Sequence, residues 1–137
     1  MKNLVNANRL AGVNAQLVAV VIAASGKLPF PVCVVEGVRS KARQAQLYAQ
    51  GRTAPGRVVT WTLKSKHIDG LAVDLAPYID GKIDWNDLKK FDAIAQAMFA
   101  AAAERGAKIR WGADWDADGK SRERGESDSP HFELVGL

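Results

Sequence analysis

The segment from Leu71 to Ala76 constrains the fold most. Leu71, Val73 and Leu75 alternate with Ala72, Asp74 and Ala76, and a period of two marks a strand with one face turned to a core. Asp74 therefore stands on the face opposite the apolar set. Asp69-Gly70, just before it, is a turn signal.

Other segments supply the partners such a strand needs. The β-branched run Val32 to Val35 reads as a buried strand leading into Glu36-Gly37-Val38-Arg39-Ser40, and Val58 to Thr62, Lys108 to Trp111 and His131 to Val135 continue the strand pattern. Leu10, Val13, Leu17, Val20, Val21 and Ala24 recur at helical spacing, which predicts an amphipathic helix from about Asn6 to Ala24, ended by Ser25-Gly26 and Pro29. Ser40 is placed to cap a second helix, Lys41 to Gln50, that stops at Gly51. A third is expected to be capped by Asp84 or Asn86 and to run to about Arg105, with an apolar stripe of Phe91, Ile94, Ala95, Met98, Phe99 and Ala102 and a stop at Gly106. Residues 51–57 and 112–127 read as loops, and Asp80-Gly81 as a turn tip. The fold class is α+β: a single domain over residues 1–137, with a small, mainly antiparallel sheet packed with two or three helices around one core.

Composition narrows the function classes. With 137 residues, 47% hydrophobic and 25% charged, the chain suits one soluble domain. A net charge of +4 and a pI near 9.4 favour an anionic partner: nucleic acid, a membrane surface or an acidic polymer. Nucleic acid is the weakest of these, because no arginine-rich run and no basic helix interleaved with aromatics is present. The single cysteine, Cys33, excludes an internal disulfide and a multi-thiolate metal site, and its apolar setting reads as a buried, inert thiol. Leu17 to Ala24 is too short, too closely preceded by Asn14 and Gln16 and too helical in its spacing for a signal peptide, and no stretch is long enough to span a bilayer. The expectation is a protein made in the cytosol without its own export signal.

The chain has two histidines, His67 and His131. His67 is followed seven residues later by Asp74, and His131 lies in Asp128-Ser129-Pro130-His131-Phe132-Glu133-Leu134. Two histidines and an aspartate form a three-ligand set that leaves a fourth zinc position for water, and Asp128 is a candidate general base. The competing reading makes each an ordinary satisfied polar residue or turn cap. Spacing alone does not decide, because His-x6-Asp is not a helix-face motif. Glu133 is expected to alternate away from His131 along the strand and to be structural.

In combination, the Ser-x-His-x6-Asp of Ser65, His67 and Asp74, the Asp-x-x-His-Phe-Glu-Leu of Asp128 to Leu134, and Trp111-Gly112-Ala113-Asp114-Trp115 resemble the LAS-type zinc peptidases, the D-Ala-D-Ala carboxypeptidase-like and hedgehog-like fold group. Within that group Glu36 to Ser40, Gln44-x-x-Leu47-Tyr48-x-Gln50-Gly51-Arg52-Thr53 and Pro55-Gly56-x-x-Val59-Thr60 are similar to phage L-alanyl-D-glutamate endopeptidase endolysins. The resemblance implies zinc ligands His67, Asp74 and His131, general base Asp128, and an oxyanion-stabilising Arg39. Related dipeptidases commonly carry glutamate as the base, so aspartate here has a shorter reach. Ser65 is placed to bond substrate or to orient His67, and Trp111, Trp115 and Tyr48 either line a cleft or pack in the core.

The implied reaction is hydrolysis of the L-alanyl-D-glutamate bond of peptidoglycan stem peptides by metal-activated water. The alternatives are a D-alanyl-D-alanine carboxypeptidase or dipeptidase with the same zinc site, and a non-catalytic wall-binding module. The setting implied is phage lysis: a monomer made in the host cytoplasm that reaches the periplasm and cell wall with the help of a holin. A separate motif, Asp114-x-Asp116-x-Asp118-Gly119 followed by Glu123, reads either as a calcium loop or as a solvated acidic loop.

Overall fold

The computed structural model describes residues 3–38, 45–46, 48–50, 70–112 and 128–135, with the backbone alone at Asp128. In chain order the elements are β1 (Leu4–Val5), a 3-10 turn (Ala7–Leu10), α1 (Ala15–Ser25), β2 (Val32–Glu36), β3 (Ala72–Ile79), β4 (Lys82–Ile83), α2 (Leu88–Glu104), β5 (Ile109–Gly112) and β6 (Asp128–Leu134).

The alternating segment becomes β3, the centre of the sheet. The strand order is β1-β2-β3-β6-β5, and β4 folds back on β3. Every pairing is antiparallel except β1 on β2. The β3–β4 hairpin turns at Asp80-Gly81, both with positive φ, the geometry that matches the twist of paired strands.

One face of the sheet carries Val34, Val73, Leu75, Ile109, Trp111, Phe132 and Leu134 into a shared core with Leu17, Val20, Val21, Ile94 and Met98 of the two helices. Each large side chain fully buried there contributes about 1.5–3 kcal/mol. Cys33, Ala72 and Ala76 are also buried but lie outside that cluster, as expected for residues on the opposite face. Cys33 is a buried free thiol. Among the described residues no helix is long and apolar enough to cross a membrane.

Several expected boundaries shift. The helix expected from Asn6 to Ala24 is split, because the Asn14 side chain accepts from the Gln16 N–H and starts α1 at Ala15. Upstream of that cap the chain makes only the 3-10 turn, preceded by a short strand that the sequence pattern does not reveal. The cap of α2 is Asp87, not Asp84 or Asn86: Asp87 Oδ1 accepts from Lys90 N–H and Oδ2 from Lys90 Nζ, while Asp84 accepts from the nearer Asn86 N–H in a turn. The Asp87–Lys90 pair holds the aspartate below its ordinary pKa, through the side-chain bond first and the backbone N–H second.

At its other end, α2 closes as expected at Gly106. Ala107 N–H bonds Ala102 O and Gly106 N–H bonds Ala103 O, the paired bonds of a Schellman cap. Phe99, expected in the stripe, is 41% exposed, and Ala97 and Ala101 are buried on the helix. The predicted helix 41–50 falls mostly outside the described residues, although positions 45–46 and 48–49 are helical. The predicted strand 58–62 lies wholly outside them.

Candidate active site

The site is assembled by sheet register on the face away from the helices. Asp74 on β3 pairs with Glu36 on β2 and with His131 on β6, so these three form one row across three strands. The next row holds Ala72, Glu133 and Arg110. Chemistry-bearing residues therefore share two adjacent rows, although Asp74 and His131 are 57 positions apart in sequence.

Glu36 reaches this face through an irregularity. Val34 pairs with Leu75 and Glu36 with Asp74, so Val35 is the extra residue of a bulge. The carbonyls of Val34 and Val35 both accept from Arg9 Nη1, at 3.2 and 3.0 Å. Gly37 follows because the 3-10 turn passes directly against it: a Cβ there would stand 2.0 Å from the Arg9 carbonyl oxygen. An open groove of about 380 Å³ lies at this end of the row, lined among the described residues by Arg9, Val35, Glu36, Gly37 and Val38.

His131 is held by both ring nitrogens. Its Nδ1 is 3.3 Å from Asp74 Oδ1 and its Nε2 is 2.9 Å from Glu133 Oε1. The side chains of His131, Asp74 and Glu133 are 11%, 19% and 4% exposed. The two distances differ in meaning. A charge-assisted N–H···O bond runs at about 2.7–2.9 Å, which the Glu133 contact meets and the Asp74 contact exceeds. Two ligands each about 2.0–2.1 Å from a tetrahedrally bound ion stand about 3.3 Å apart, so Nδ1 and Oδ1 are spaced as a pair able to hold a divalent cation.

Asp128 opens β6, its backbone paired with Gly112. Between that pairing and Trp111 with Phe132, β6 advances four residues while β5 advances one, so Ser129, Pro130 and His131 form an irregular segment. Trp111 pins it, since its indole N–H donates to Ser129 O at 2.7 Å. Trp111 is 7% exposed, and its ring stacks on Phe132 with centroids 6.3 Å apart. Its place is in the core, the second of the two readings open to it, where it braces the strand that carries His131.

Glu133 corrects the sequence expectation. Residues two apart on a strand share a face, so Glu133 lies beside His131 instead of alternating away from it. Strand parity is readable from the sequence; the contact with Nε2 is not. Glu36 escapes a sequence reading because a bulge inverts the parity counted from Val34.

Among the described residues no group of three His, Cys, Asp or Glu side chains converges on one point. The third expected ligand, His67, lies outside the described residues, as do Arg39, Ser65 and Trp115 and the calcium-loop residues Asp114, Asp116, Asp118 and Glu123. Tyr48 is described and half-buried.

Comparison with known proteins gives the relatives of the chain as a whole. The family model for phage L-alanyl-D-glutamate peptidase matches residues 3–135. The L-alanyl-D-glutamate peptidase of Escherichia phage T5 is 43% identical over 130 residues, covering 93% of this chain and 92% of that protein. The peptidoglycan L-alanyl-D-glutamate endopeptidase CwlK of Bacillus subtilis (strain 168) is 33% identical over 122 residues, 82% of this chain and 66% of its own. The crystal structure of the L-Ala D-Glu endopeptidase ChiX of Serratia marcescens superposes with a TM-score of 0.75 at 33% identity, covering 93% of this chain and 84% of that one. By the extent of these matches, the chain belongs to the phage L-alanyl-D-glutamate peptidase family.

Proposed function

We propose that this chain is a zinc-dependent endopeptidase that hydrolyses the L-alanyl-D-glutamate bond of peptidoglycan stem peptides, in the manner of a phage endolysin. The observation that carries the reading is the pair His131 Nδ1 and Asp74 Oδ1, 3.3 Å apart on neighbouring strands, in a chain of this family. With His67 they would complete the ligand set. When bound, the zinc supplies Lewis-acid polarisation of the scissile carbonyl and makes water a better nucleophile at neutral pH.

The chain's own residues do the rest. Asp128, three residues before His131, takes the proton of the attacking water and passes it to the departing amine of D-glutamate. Arg39, two residues beyond Gly37 in sequence, offers a cation to the oxygen of the tetrahedral intermediate. The bulge braced by Arg9 sets how the chain leaves β2. A net charge of +4 favours approach to an anionic wall polymer. Delivery from the host cytoplasm through a holin belongs to the same reading.

The roles separate experimentally. Asp74→Asn should lose bound zinc and activity together. Asp128→Asn should retain zinc, measured by metal analysis after gel filtration, and lose at least about 100-fold in kcat. If Asp128→Asn sheds zinc, or keeps full turnover, the assignment of the base is wrong.

A further inference from the structure

We infer that Glu133 is the positioning residue of the site: its buried carboxylate holds His131 as the tautomer protonated at Nε2, so that Nδ1 is the nitrogen offered with Asp74 to the cation. The inference rests on the metal-binding reading above and adds a residue to it.

Three observations carry it. Glu133 is 3% exposed, and a carboxylate is rarely buried without a partner that justifies the lost hydration. Its Oε1 lies 2.9 Å from His131 Nε2. An ionised carboxylate can only accept, so the hydrogen of that contact sits on Nε2. In the neutral ring the lone pair is then on Nδ1, which faces Asp74 Oδ1 at a distance too long for a strong charge-assisted hydrogen bond and suited to a shared ion.

Strand parity makes the arrangement rigid. His131 and Glu133 are two residues apart on β6, and β6 is clamped between β3 and β5 at Ala72 and Arg110, the register partners of Glu133. Phe132, between them, is 0% exposed in the core on the other face. The strand can neither slip nor rotate without expelling that ring. Of the two ring nitrogens, the one for the ion is thus set by a residue that never touches the ion. The competing arrangement is a doubly protonated His131 bridging two carboxylates as a purely structural ion triad.

Two measurements decide between them. In wild-type protein, 15N-edited NMR of the imidazole rings is recorded with and without zinc. The chain has only two histidines; His67→Ala identifies the His131 ring in the metal-free protein, and a zinc titration of wild type follows that ring to the loaded state. The expected pattern with zinc is a proton on Nε2 and a metal-shifted Nδ1; a metal-shifted Nε2 would overturn the inference, whatever any variant does. Zinc affinity is then measured by chelator competition for Glu133→Gln, which is isosteric, and Glu133→Leu. Both should bind zinc about 10–100-fold more weakly than wild type, with Glu133→Gln the less affected because its amide oxygen can still accept from Nε2–H. Affinities within about twofold of wild type in both variants would refute the positioning role. If instead His131→Ala binds zinc as tightly as wild type, the metal-site reading itself fails, and that outcome is distinct from the first two.

Discussion

Replacing Gly70 with alanine tests how the site is anchored to the rest of the molecule. Gly70 stands two residues before β3, has φ +72°, and its carbonyl accepts from the Asn14 N–H at 2.8 Å, tying the head of the central strand to the start of α1. A Cβ at this position would meet the Gly12 carbonyl oxygen at 2.7 Å, a backbone atom with no side-chain freedom to yield. Two penalties add: about 1–2 kcal/mol for an L-residue in the left-handed region, and about 1–3 kcal/mol for overpacking. The reduced freedom of the unfolded alanine chain returns about 0.4–1 kcal/mol, which leaves a net loss of about 1–4.6 kcal/mol, centred on about 3 kcal/mol.

Gly81 supplies the control, with φ +79° and nothing within 4 Å of the position a Cβ would take. Gly81→Ala incurs the conformational cost alone and should lose about 1 kcal/mol. Urea unfolding followed by tryptophan fluorescence, in metal-free buffer so that ion release does not enter, measures both by linear extrapolation. A Gly70→Ala loss no larger than that of Gly81→Ala would show that the contact with Gly12 is relieved at no cost, and the anchoring role of Gly70 would fall.

Phe132→Ala should destabilise the fold by about 3–5 kcal/mol in the same assay, since a fully buried ring stacked on Trp111 is removed. Trp111→Phe should cost about 1–3 kcal/mol, because Ser129 O loses its indole donor; an unchanged urea midpoint would rule out the bracing role. For Asp87, folding lowers the carboxyl pKa, so its contribution is fully present above the ordinary aspartate value and is lost as pH falls through the lowered one. The stability difference between wild type and Asp87→Ala should therefore be level near neutrality and shrink on acidification below about pH 3.8; a difference that grows on acidification would contradict the pairing with Lys90.

What can be read from sequence is local and periodic. The alternation at Leu71 to Ala76 places Asp74 on the correct face because strand parity depends on nothing beyond the strand itself. Gly106 and the Asp80-Gly81 turn are legible for the same reason: each acts over a few neighbouring residues. The caps are harder, since Asp84, Asn86 and Asp87 all suit a helix start and only Asp87 meets the Lys90 N–H. Continuous helical spacing also hides the break before Asn14, where a cap outweighs periodicity. The row of Glu36, Asp74 and His131 is a matter of register between three strands, and the Val35 bulge that admits Glu36 has no local signature. Glu133 is within reach of parity alone, but its importance emerges only from the 2.9 Å contact with His131.

The most direct test of zinc-dependent cleavage at the L-alanyl-D-glutamate bond is digestion of purified peptidoglycan by the intact protein, with mass spectrometry of the released stem peptides. The digestion is run before and after a strong chelator, and again after added zinc. The expected result is new termini at L-alanine and D-glutamate, no cleavage with chelator, and recovery with zinc. Cleavage at a D-alanyl-D-alanine bond, or digestion that the chelator leaves unchanged, would contradict it.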